Sequence, residues 1–310
     1  MYSRKIYTKL TLESIFLKKP IYINEIPRSL IEFAKRNKML YLLGLYDERI
    51  RLTENWNELD CRRKEQAKAI TEVAEIAEKL SIPLLIVKTF KPFVYVPDDI
   101  DILILEERSV RSLVYALFER GYLIRKRGTP EITLRKVNKN TFVDLDIHTK
   151  LASGPYEYID KYYLWRRRRH VRIRDVLVFT PNEVDELLIT AAHAVMKELS
   201  ITMADVLHIL SINKTRLIAA SDQSKMIGLS TALIYILNLA RRVIQALSKQ
   251  HMHNIVFPAK VPLFIVAQAY RENLMYRYKA HAIRPLREML SMPSSKGIGI
   301  LLRYIVRHNE

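Results

Sequence analysis

Cysteine, glycine and long apolar runs are all scarce in this chain. Its 310 residues include a single cysteine, Cys61, so neither a disulfide framework nor a cysteine-ligated metal site can form within it. No stretch of about 18 apolar residues occurs, which argues against a transmembrane helix. The first residues also lack the apolar segment of a signal peptide. We therefore expect a cytoplasmic protein with no membrane partner.

Glycine-rich phosphate-binding loops are missing as well. The chain has 7 glycines, and none lies between Gly44 and Gly121. The patterns G-x-x-x-x-G-K-[ST], G-x-G-x-x-G and H-E-x-x-H do not occur, which excludes the P-loop, dinucleotide-binding and zinc-protease signatures. His251 and His253 have no third ligand nearby, and we interpret them as part of an exposed loop.

Acidic residues are outnumbered, and the chain carries a formal net charge of +18. Residues 211–310 hold 15 Lys and Arg against 4 Asp and Glu, which is a net charge of +11. The run Arg166, Arg167, Arg168 and Arg169 adds a compact basic patch beside aromatic residues. Arginine binds phosphates and aromatic rings stack on bases, so a nucleic-acid partner is favoured, with RNA preferred. A solvated basic surface, or one that meets an anionic protein, remains the alternative.

Two carboxylates lie close together in an apolar segment that follows Pro97. Asp99 and Asp101 lie on either side of Ile100, at the start of a predicted strand over 100–105. Side chains two residues apart on a strand lie on the same face, roughly 6–7 Å apart. Their mutual repulsion and loss of hydration indicate that a cation binds between them.

A second acidic strand is predicted over 142–148. Asp144, Asp146 and His148 alternate there with apolar residues, so the three polar side chains share one face. If this strand lies beside the first, Asp146 or Asp144 completes a cluster of three carboxylates. Such a cluster suits Mg²⁺, or Mn²⁺ in its place, and leaves coordination positions open for phosphate oxygens. The sequence leaves open which of the two aspartates takes that place, and whether His148 contacts a ligand or the backbone.

These segments resemble the DNA polymerase β-like nucleotidyltransferase superfamily. The likeness rests on the strand 84–87 followed by Lys88-Thr89, then Asp99-Ile100-Asp101, then Asp146-Ile147-His148. It is nearest to the uncharacterised prokaryotic and archaeal nucleotidyltransferase family and spans roughly residues 27–210. The resemblance implies that Asp99 and Asp101 bind the metal and the triphosphate and that Asp146 is the third carboxylate. A pattern of His193 followed by Asp205 also resembles the family, although helix packing explains it equally well.

One departure from the family pattern concerns the loop after the first strand. The superfamily carries Gly-Ser or Gly-Gly there, where backbone amides approach the triphosphate. This chain has Lys88, Thr89 and Lys91 in that loop instead. Their ammonium, hydroxyl and amide groups are the predicted cofactor-binding contacts to the triphosphate. The missing glycine also keeps open the alternative of an inactive protein.

The predicted fold is an α/β nucleotidyltransferase core with a mixed sheet, flanked by N-terminal helices and a C-terminal all-helical domain. We place the helical region at 1–80, the catalytic core at 81–180 and the basic helical domain at 181–310. Thr180 is the predicted N-cap of the first helix of that last domain, in a capping box with Glu183. The other expected elements are helices over 12–19, 27–43, 62–80, 108–120, 182–199, 201–212, 229–249, 262–278 and 297–308 and strands over 84–87, 123–126 and 131–137.

The function expected from this pattern is Mg²⁺-dependent transfer of a nucleotidyl group from an NTP to an acceptor, with Asp146 helping to activate the acceptor hydroxyl. Substitution of Asp101 by Asn is expected to abolish transfer with little effect on the melting temperature. Two alternatives remain: a catalytically inactive nucleotidyltransferase fold that binds nucleic acid, and a toxin-like enzyme that modifies a protein.

Overall fold

The N-terminal part of the chain is helical. The computed structural model describes residues 4–128, 131–138, 141–153, 156–248 and 255–278. Helix α5 is the longest of the N-terminal helices and packs Ile70 and Val73 against the sheet that follows. The helices are α1 (Arg4–Leu17), α2 (Arg28–Arg36), α3 (Leu40–Tyr46), α4 (Glu48–Arg51) and α5 (Glu54–Lys79).

A break at Lys38 separates α2 from α3, so the single helix predicted over 27–43 is wrong. Asn37 ends α2, with its amide bonded to the Phe33 carbonyl, and Lys38 takes a left-handed φ of 57°. Apolar residues continue at helical spacing across this break, which hides it from the sequence pattern. The change of direction places the Lys38 side chain at the pocket described below.

A five-stranded mixed sheet forms the centre of the molecule. Its strand order is β1-β2-β5-β4-β3, with β2 and β5 parallel and every other neighbouring pair antiparallel. Every residue of β1 and β2 is buried, as the apolar composition of these segments predicts. The strands are β1 (Leu84–Val87), β2 (Ile100–Ile104), β3 (Leu123–Arg127), β4 (Glu131–Asn138) and β5 (Thr141–His148).

The two faces of the sheet have different neighbours. Ile102 and Ile147 belong to a core shared with α5 and with α6 (Ser109–Glu119). Val87 and Leu103, on the opposite face, belong to a second core shared with helices from both ends of the chain. The polar side chains of β5 lie on this second face, because alternate residues of a strand point the same way.

Helix α6 connects β2 to β3 and ends as predicted. Gly121 follows its C-cap and has a φ of 86°, a left-handed conformation that glycine adopts without steric cost. Tyr122 is then fully buried and donates a hydrogen bond from its hydroxyl to Glu72 of α5.

Two hairpins and a short helix lead from the sheet to the C-terminal helices. They are β6 (Leu151–Ser153) with β7 (Tyr156–Ile159), α7 (Lys161–Arg166), and β8 (Arg169–Ile173) with β9 (Val176–Thr180). The predicted N-cap at Thr180 is wrong, because Thr180 is the last residue of β9 and pairs with Arg169. The N-cap is Asn182, whose side chain accepts a hydrogen bond from the Asp185 amide.

The described residues after Asn182 are mostly helical, as predicted, but they include a π-helix and a two-stranded sheet, so the region is not all-helical. Residues 193–198 form a π-helix, and Leu199 then turns with a φ of 57°. The elements are α8 (Glu183–Ala192), the π-helix (His193–Glu198), β10 (Ser200–Ile201), α9 (Met203–Leu210), α10 (Lys214–Ile227), α11 (Ser230–Ser248), β11 (Ala259–Lys260) and α12 (Leu263–Tyr278).

Helix α10 was not expected from the sequence, because few apolar residues mark its buried side. It buries Ala220 and Ser224 and ends at Gly228, which has a φ of 69°. The helix predicted over 297–308 and the histidine pair at 251–253 lie outside the described residues. Within the described part of the chain, no helix is both long and apolar enough to cross a bilayer.

Candidate active site

The parallel pair β2 and β5 brings two aspartates together. Asp101 and Asp146 are direct Cα partners in this register. Ligand atoms of Asp101, Asp146 and His148 all lie within 4.8 Å of one another, and all three residues are buried. Asp99, just before β2, lines the same pocket as the two aspartates. The parallel register of β2 and β5 therefore brings together, on one face of the sheet, polar side chains that are spread over 50 residues of the sequence.

The pocket beside these carboxylates has a volume of about 360 Å³. Its walls come from the loop after β1, the start of β2, and the helices α8 and α9 with the π-helix between them. Five cationic side chains line it, alongside the acidic groups. They are Arg36, Lys38, Lys88, Lys91 and Lys197.

Asp101 is ionised and paired. Burial alone would raise its pKa, but the charge of Lys88 and a hydrogen bond from His148 outweigh burial and hold that pKa far below its usual range. Lys88 forms an ion pair with Asp101 Oδ1, and His148 Nε2 lies 2.8 Å from the same oxygen. His148 thus contacts a carboxylate, which was not among the partners expected from the sequence.

The electrostatic environment of Asp146 favours its protonated form, whereas that of Asp101 favours the ionised form. Burial, followed by the negative charge of Asp99, raises the pKa of Asp146 to about 7. Burial and the charge of Asp101 likewise raise the pKa of Asp99. Neighbouring carboxylates that share one site destabilise each other's ionised forms. A divalent cation would relieve this repulsion, so the donor set fits a hard metal ion.

Asp144 lies on the same face of β5 but is occupied by arginines. Arg135 donates to both of its oxygens at 2.7 Å, and Arg125 donates at 2.5 Å. Asp144 does not line the pocket, whereas Asp146 does. Of the two aspartates that the sequence left as alternatives, the structure places Asp146 next to Asp101.

Lys88 lies in the loop after β1 in which the family resemblance predicts a glycine. Its φ of 59° is left-handed, which a residue with a Cβ adopts at a cost of about 1 kcal/mol or more. The chain therefore keeps the backbone conformation that glycine would favour while adding an ammonium group. That ammonium group forms an ion pair with Asp101 and is largely buried.

Of the other two predicted triphosphate contacts, Lys91 lines the pocket and Thr89 does not. The Thr89 hydroxyl donates to the Val87 carbonyl at 3.1 Å, and Thr89 does not line the pocket. Lys91 does line it, and its Nζ lies 2.6 Å from Thr190 Oγ1 and 3.3 Å from His208 Nδ1. Burial lowers the pKa of Lys91.

Three cations of the pocket were missed by sequence reasoning. Arg36 is the last residue of α2, Lys38 lies in the break between α2 and α3, and Lys197 comes from the π-helix. Lys38 Nζ lies 3.0 Å from Asp98 Oδ2, and Lys197 Nζ lies 3.5 Å from Glu131 Oε2. No local sequence motif marks these residues, because their convergence depends on how the terminal helices pack on the sheet.

The π-helix contributes a histidine to the pocket wall. His193 Nε2 lies 3.4 Å from Glu198 Oε1, and its buried Nδ1 has no hydrogen-bond partner among the described residues. Burial lowers the pKa of His193 well below its usual value, so the imidazole is neutral. Asp205 also lines the pocket, but its side chain closes the capping box of α9 with Thr202.

The arginine run has extensive contacts within the protein. Arg167 donates to buried Asp185 at 3.0 Å, and Arg169 donates to Glu183 at 3.1 Å. Arg168 lies 3.9 Å above the Trp165 ring. Arg166, the last residue of α7, is exposed. A nucleic-acid contact by Arg166, Arg167, Arg168 and Arg169 remains a prediction, and much of the run also stabilises the fold.

One of the comparisons with known proteins, that with protein families, agrees with the family resemblance. Residues 97–245 match a protein family described as an uncharacterised nucleotidyltransferase. No curated protein matches the chain. Among solved structures, the solution structure of the antibiotic-resistance factor ANT(2'')-Ia aligns with 62% of this chain and 99% of its own, at 14% identity and a TM-score of 0.34.

Proposed function

We propose that the chain is a nucleotidyltransferase that transfers a nucleotidyl group from an NTP such as ATP to an acceptor, which the family match over residues 97–245 supports. In this reaction an acceptor oxygen bonds to the α-phosphorus while the bond to the β-phosphate oxygen breaks, which releases pyrophosphate. The observation that carries the proposal is the pairing of Asp101 with Asp146 in a pocket that five cationic side chains line.

Asp99, Asp101 and Asp146 would hold the divalent cation, Mg²⁺ or Mn²⁺. Support comes from the closeness of the ligand atoms of Asp101 and Asp146 and from the position of Asp99 in the same pocket. Burial and neighbouring carboxylates also raise the pKa values of Asp99 and Asp146. Bound there, the cation would neutralise triphosphate oxygens and polarise the α-phosphoryl group.

The cations of the pocket would bind the triphosphate. Lys88 and Lys91 are the contacts proposed from the sequence, and Arg36, Lys38 and Lys197 extend this set around the pocket. Charge-assisted bonds to phosphate are stronger than neutral ones, so several of them together can orient the chain of phosphates. Thr89 would contribute through its backbone amide, because its hydroxyl is bonded to a carbonyl.

Asp146 would also assist the acceptor. Asp146 lines the pocket beside Asp101, where a carboxylate oxygen can take the proton of an acceptor hydroxyl. The proton would pass from the acceptor hydroxyl to a carboxylate oxygen of Asp146 as the new bond forms.

RNA is the acceptor class that the charge of the chain favours. The net charge of +18 supports capture of a polyanion, and Arg166 and Arg168 expose guanidinium groups beside Trp165. Acceptor binding by the arginine run and the C-terminal helices is part of the proposal.

A second candidate is an inactive protein that binds nucleic acid through the same fold. The ion pair between Lys88 and Asp101 favours it, because the ammonium already neutralises the carboxylate that a metal would need. The absence of glycine from the loop after β1 points in the same direction.

One experiment distinguishes transfer to RNA from transfer to protein and from an inactive protein. The purified chain is incubated with Mg²⁺, α-labelled NTPs and either cellular RNA or cellular protein, in parallel with an Asp146→Asn variant. Label in RNA that depends on Asp146 is the expected result. Label in protein would instead support the toxin-like alternative, and no label in either fraction would support the inactive one.

A further inference from the structure

The hairpin of β8 and β9 has one face on the core and one face outward. Val171 and Val178 are register partners and pack in the core shared with α5 and α6. Because side chains alternate along a strand, the residues between them point away from that core. These outward residues and two side chains beside them, which we call the hairpin face, are Trp165, Arg168, His170, Arg172, Leu177 and Phe179.

Arg168 stacks on the aromatic rings of the hairpin face. Its guanidinium carbon lies 3.9 Å from the centroid of the Trp165 ring and 4.7 Å from that of Phe179. The Trp165 and Phe179 rings meet edge to face with centroids 5.1 Å apart, and the His170 ring lies 4.5 Å from Phe179. Arg168 is nevertheless exposed, so its guanidinium plane has a free side. Unpaired nucleobases stack on guanidinium planes of this kind.

The arginines of the hairpin face also keep their charge available. Arg168 and Arg172 are exposed, and neither forms an ion pair with a carboxylate of the described residues. Arg167 and Arg169, by contrast, are each paired with a carboxylate of α8. Unpaired guanidinium groups bind phosphate through both charge and bidentate hydrogen bonds. The residues that suit a phosphate partner therefore alternate along β8 and do not follow one another in the arginine run.

A pocket with a volume of about 610 Å³ adjoins the hairpin face. Trp165, His170 and Arg172 line it, together with mainly apolar residues of α5 and β1. Glu78 and Asp175 line it as well, and their charges disfavour a phosphate inside the pocket. The apolar lining and the aromatic rings suit an uncharged flat ring there, while the exposed arginines suit phosphates outside it.

We propose that the hairpin face binds an unpaired segment of the RNA acceptor, with a base stacked on Arg168 and a phosphate bonded to Arg172. Duplex RNA does not fit, because its bases are stacked on one another and offer no free ring face. An acidic peptide would pair with the arginines but leave the stacking surface unused. The inference rests on the proposed function, since it names where that acceptor is held and in which form.

The hairpin face lies away from the catalytic pocket. Leu84, at the start of β1, lines the pocket beside the hairpin, whereas Lys88, just after β1, lines the catalytic pocket. Four residues of extended chain span roughly 13 Å. The hairpin face therefore holds a part of the RNA several nucleotides from the end that reacts.

The test measures RNA binding to the full-length protein by fluorescence anisotropy, without NTP or divalent cation. The probe is a labelled oligouridylate of about 12 nucleotides, which does not form a duplex with itself. Arg168→Ala should weaken binding at least ~10-fold, and Arg168→Lys, which keeps the charge but loses the plane, at least ~5-fold. Arg172→Ala should reduce the salt dependence of binding by a slope of ~0.7. Arg111→Ala, which removes an exposed arginine from α6, is the matched control and should bind like wild type.

Two competitors identify the class of partner. Duplex RNA of the same length and polyglutamate of the same total charge should each displace the probe at least ~10-fold less well than unlabelled oligouridylate. Displacement by polyglutamate as effective as by oligouridylate would overturn the inference in favour of an acidic protein partner. Equal displacement by duplex RNA would refute the stacked base.

Three further results would overturn the inference. They are wild-type affinity in Arg168→Lys, an unchanged salt slope in Arg172→Ala, and a loss in Arg111→Ala as large as that in Arg168→Ala. The Arg172→Ala measurement stands even if substitution of Arg168 disturbs the packing of Trp165. Because transfer is not measured here, transfer to RNA without this order of affinities refutes only the inference, and the order without transfer refutes only the proposed function.

Discussion

Asp101 of β2 lies directly beside Asp146 of β5, yet the two carboxyl groups have pKa values displaced in opposite directions. Lys88 and His148 stabilise the charge of Asp101, whereas burial and Asp99 disfavour the charge of Asp146. Neighbouring titratable groups whose pKa values are shifted in opposite directions take different roles in many active sites. In the metal-free protein, Asp101 therefore stays ionised while Asp146 exchanges a proton near neutral pH.

The raised pKa of Asp146 makes stability depend on pH. Folded Asp146 holds its proton more tightly than the unfolded chain does. Its stabilising contribution is therefore complete below the ordinary value of 3.8 and is lost as pH rises through about 7. Asp146→Asn stays neutral throughout. In metal-free buffer, its melting temperature relative to wild type should rise by ~2–5 °C between pH 5 and pH 8. Thermal denaturation at both values checks this, and a difference that is independent of pH would contradict it.

Removal of Asp101 should destabilise the protein, contrary to what the sequence alone suggests. Asp101→Asn leaves the Lys88 ammonium buried without its partner, and loss of one member of a buried ion pair costs about 3–5 kcal/mol. The double variant Asp101→Asn with Lys88→Met removes both charges and should recover most of that loss. Urea denaturation of the two variants tests the expectation. Equal stability of both would show that the ion pair contributes little.

Two glycines with similar backbone conformation should respond differently to alanine. A Cβ at Gly121 would meet no atom within 4 Å, whereas a Cβ at Gly228 would lie 2.6 Å from the Cβ of Tyr276 in α12. Gly121→Ala is expected to cost about 1 kcal/mol, from the left-handed φ alone. Gly228→Ala adds steric overlap worth about 1–3 kcal/mol more. Urea unfolding midpoints that place Gly121→Ala as the less stable variant would be inconsistent with the packing of α10 on α12.

The arginine run should separate into structural and binding positions. Arg167→Ala leaves the buried carboxylate of Asp185 without its ion-pair partner, so it should lower the melting temperature by several degrees. Arg166→Ala should leave that temperature unchanged. If Arg166 contacts a phosphate, the same substitution should reduce the salt dependence of RNA binding by a slope of ~0.7. An unchanged slope in Arg166→Ala would remove Arg166 from the binding surface.

Much of the fold was predictable because its strands and helices have distinct residue periods. Apolar or alternating segments predicted the five strands of the sheet, and this prediction is confirmed. The family resemblance, which rests on Asp99-Ile100-Asp101 and on the alternation in β5, agrees with the family match over residues 97–245. The helix break at Lys38 was missed, because apolar spacing continues across it. Domain boundaries and site roles have not been tested and stay predictions.

The choice between Asp144 and Asp146 could not be made from sequence. Both share one face of β5, and what distinguishes them is the register of β3 and β4, which brings Arg125 and Arg135 to Asp144. The pairing of Lys88 with Asp101 was hidden for a similar reason. It depends on the antiparallel register of β1 and β2, in which Val87 lies opposite Asp101.

The most direct test of nucleotidyl transfer at Asp101 and Asp146 compares NTP labelled at the α-phosphate with NTP labelled at the γ-phosphate. With Mg²⁺ and cellular RNA, the wild-type chain should incorporate the α-label and exclude the γ-label, because pyrophosphate leaves with the γ-phosphate. Asp146→Asn, assayed at a temperature where it is folded, should incorporate neither. Incorporation of the γ-label, or α-labelling by Asp146→Asn at the wild-type rate, would contradict the account.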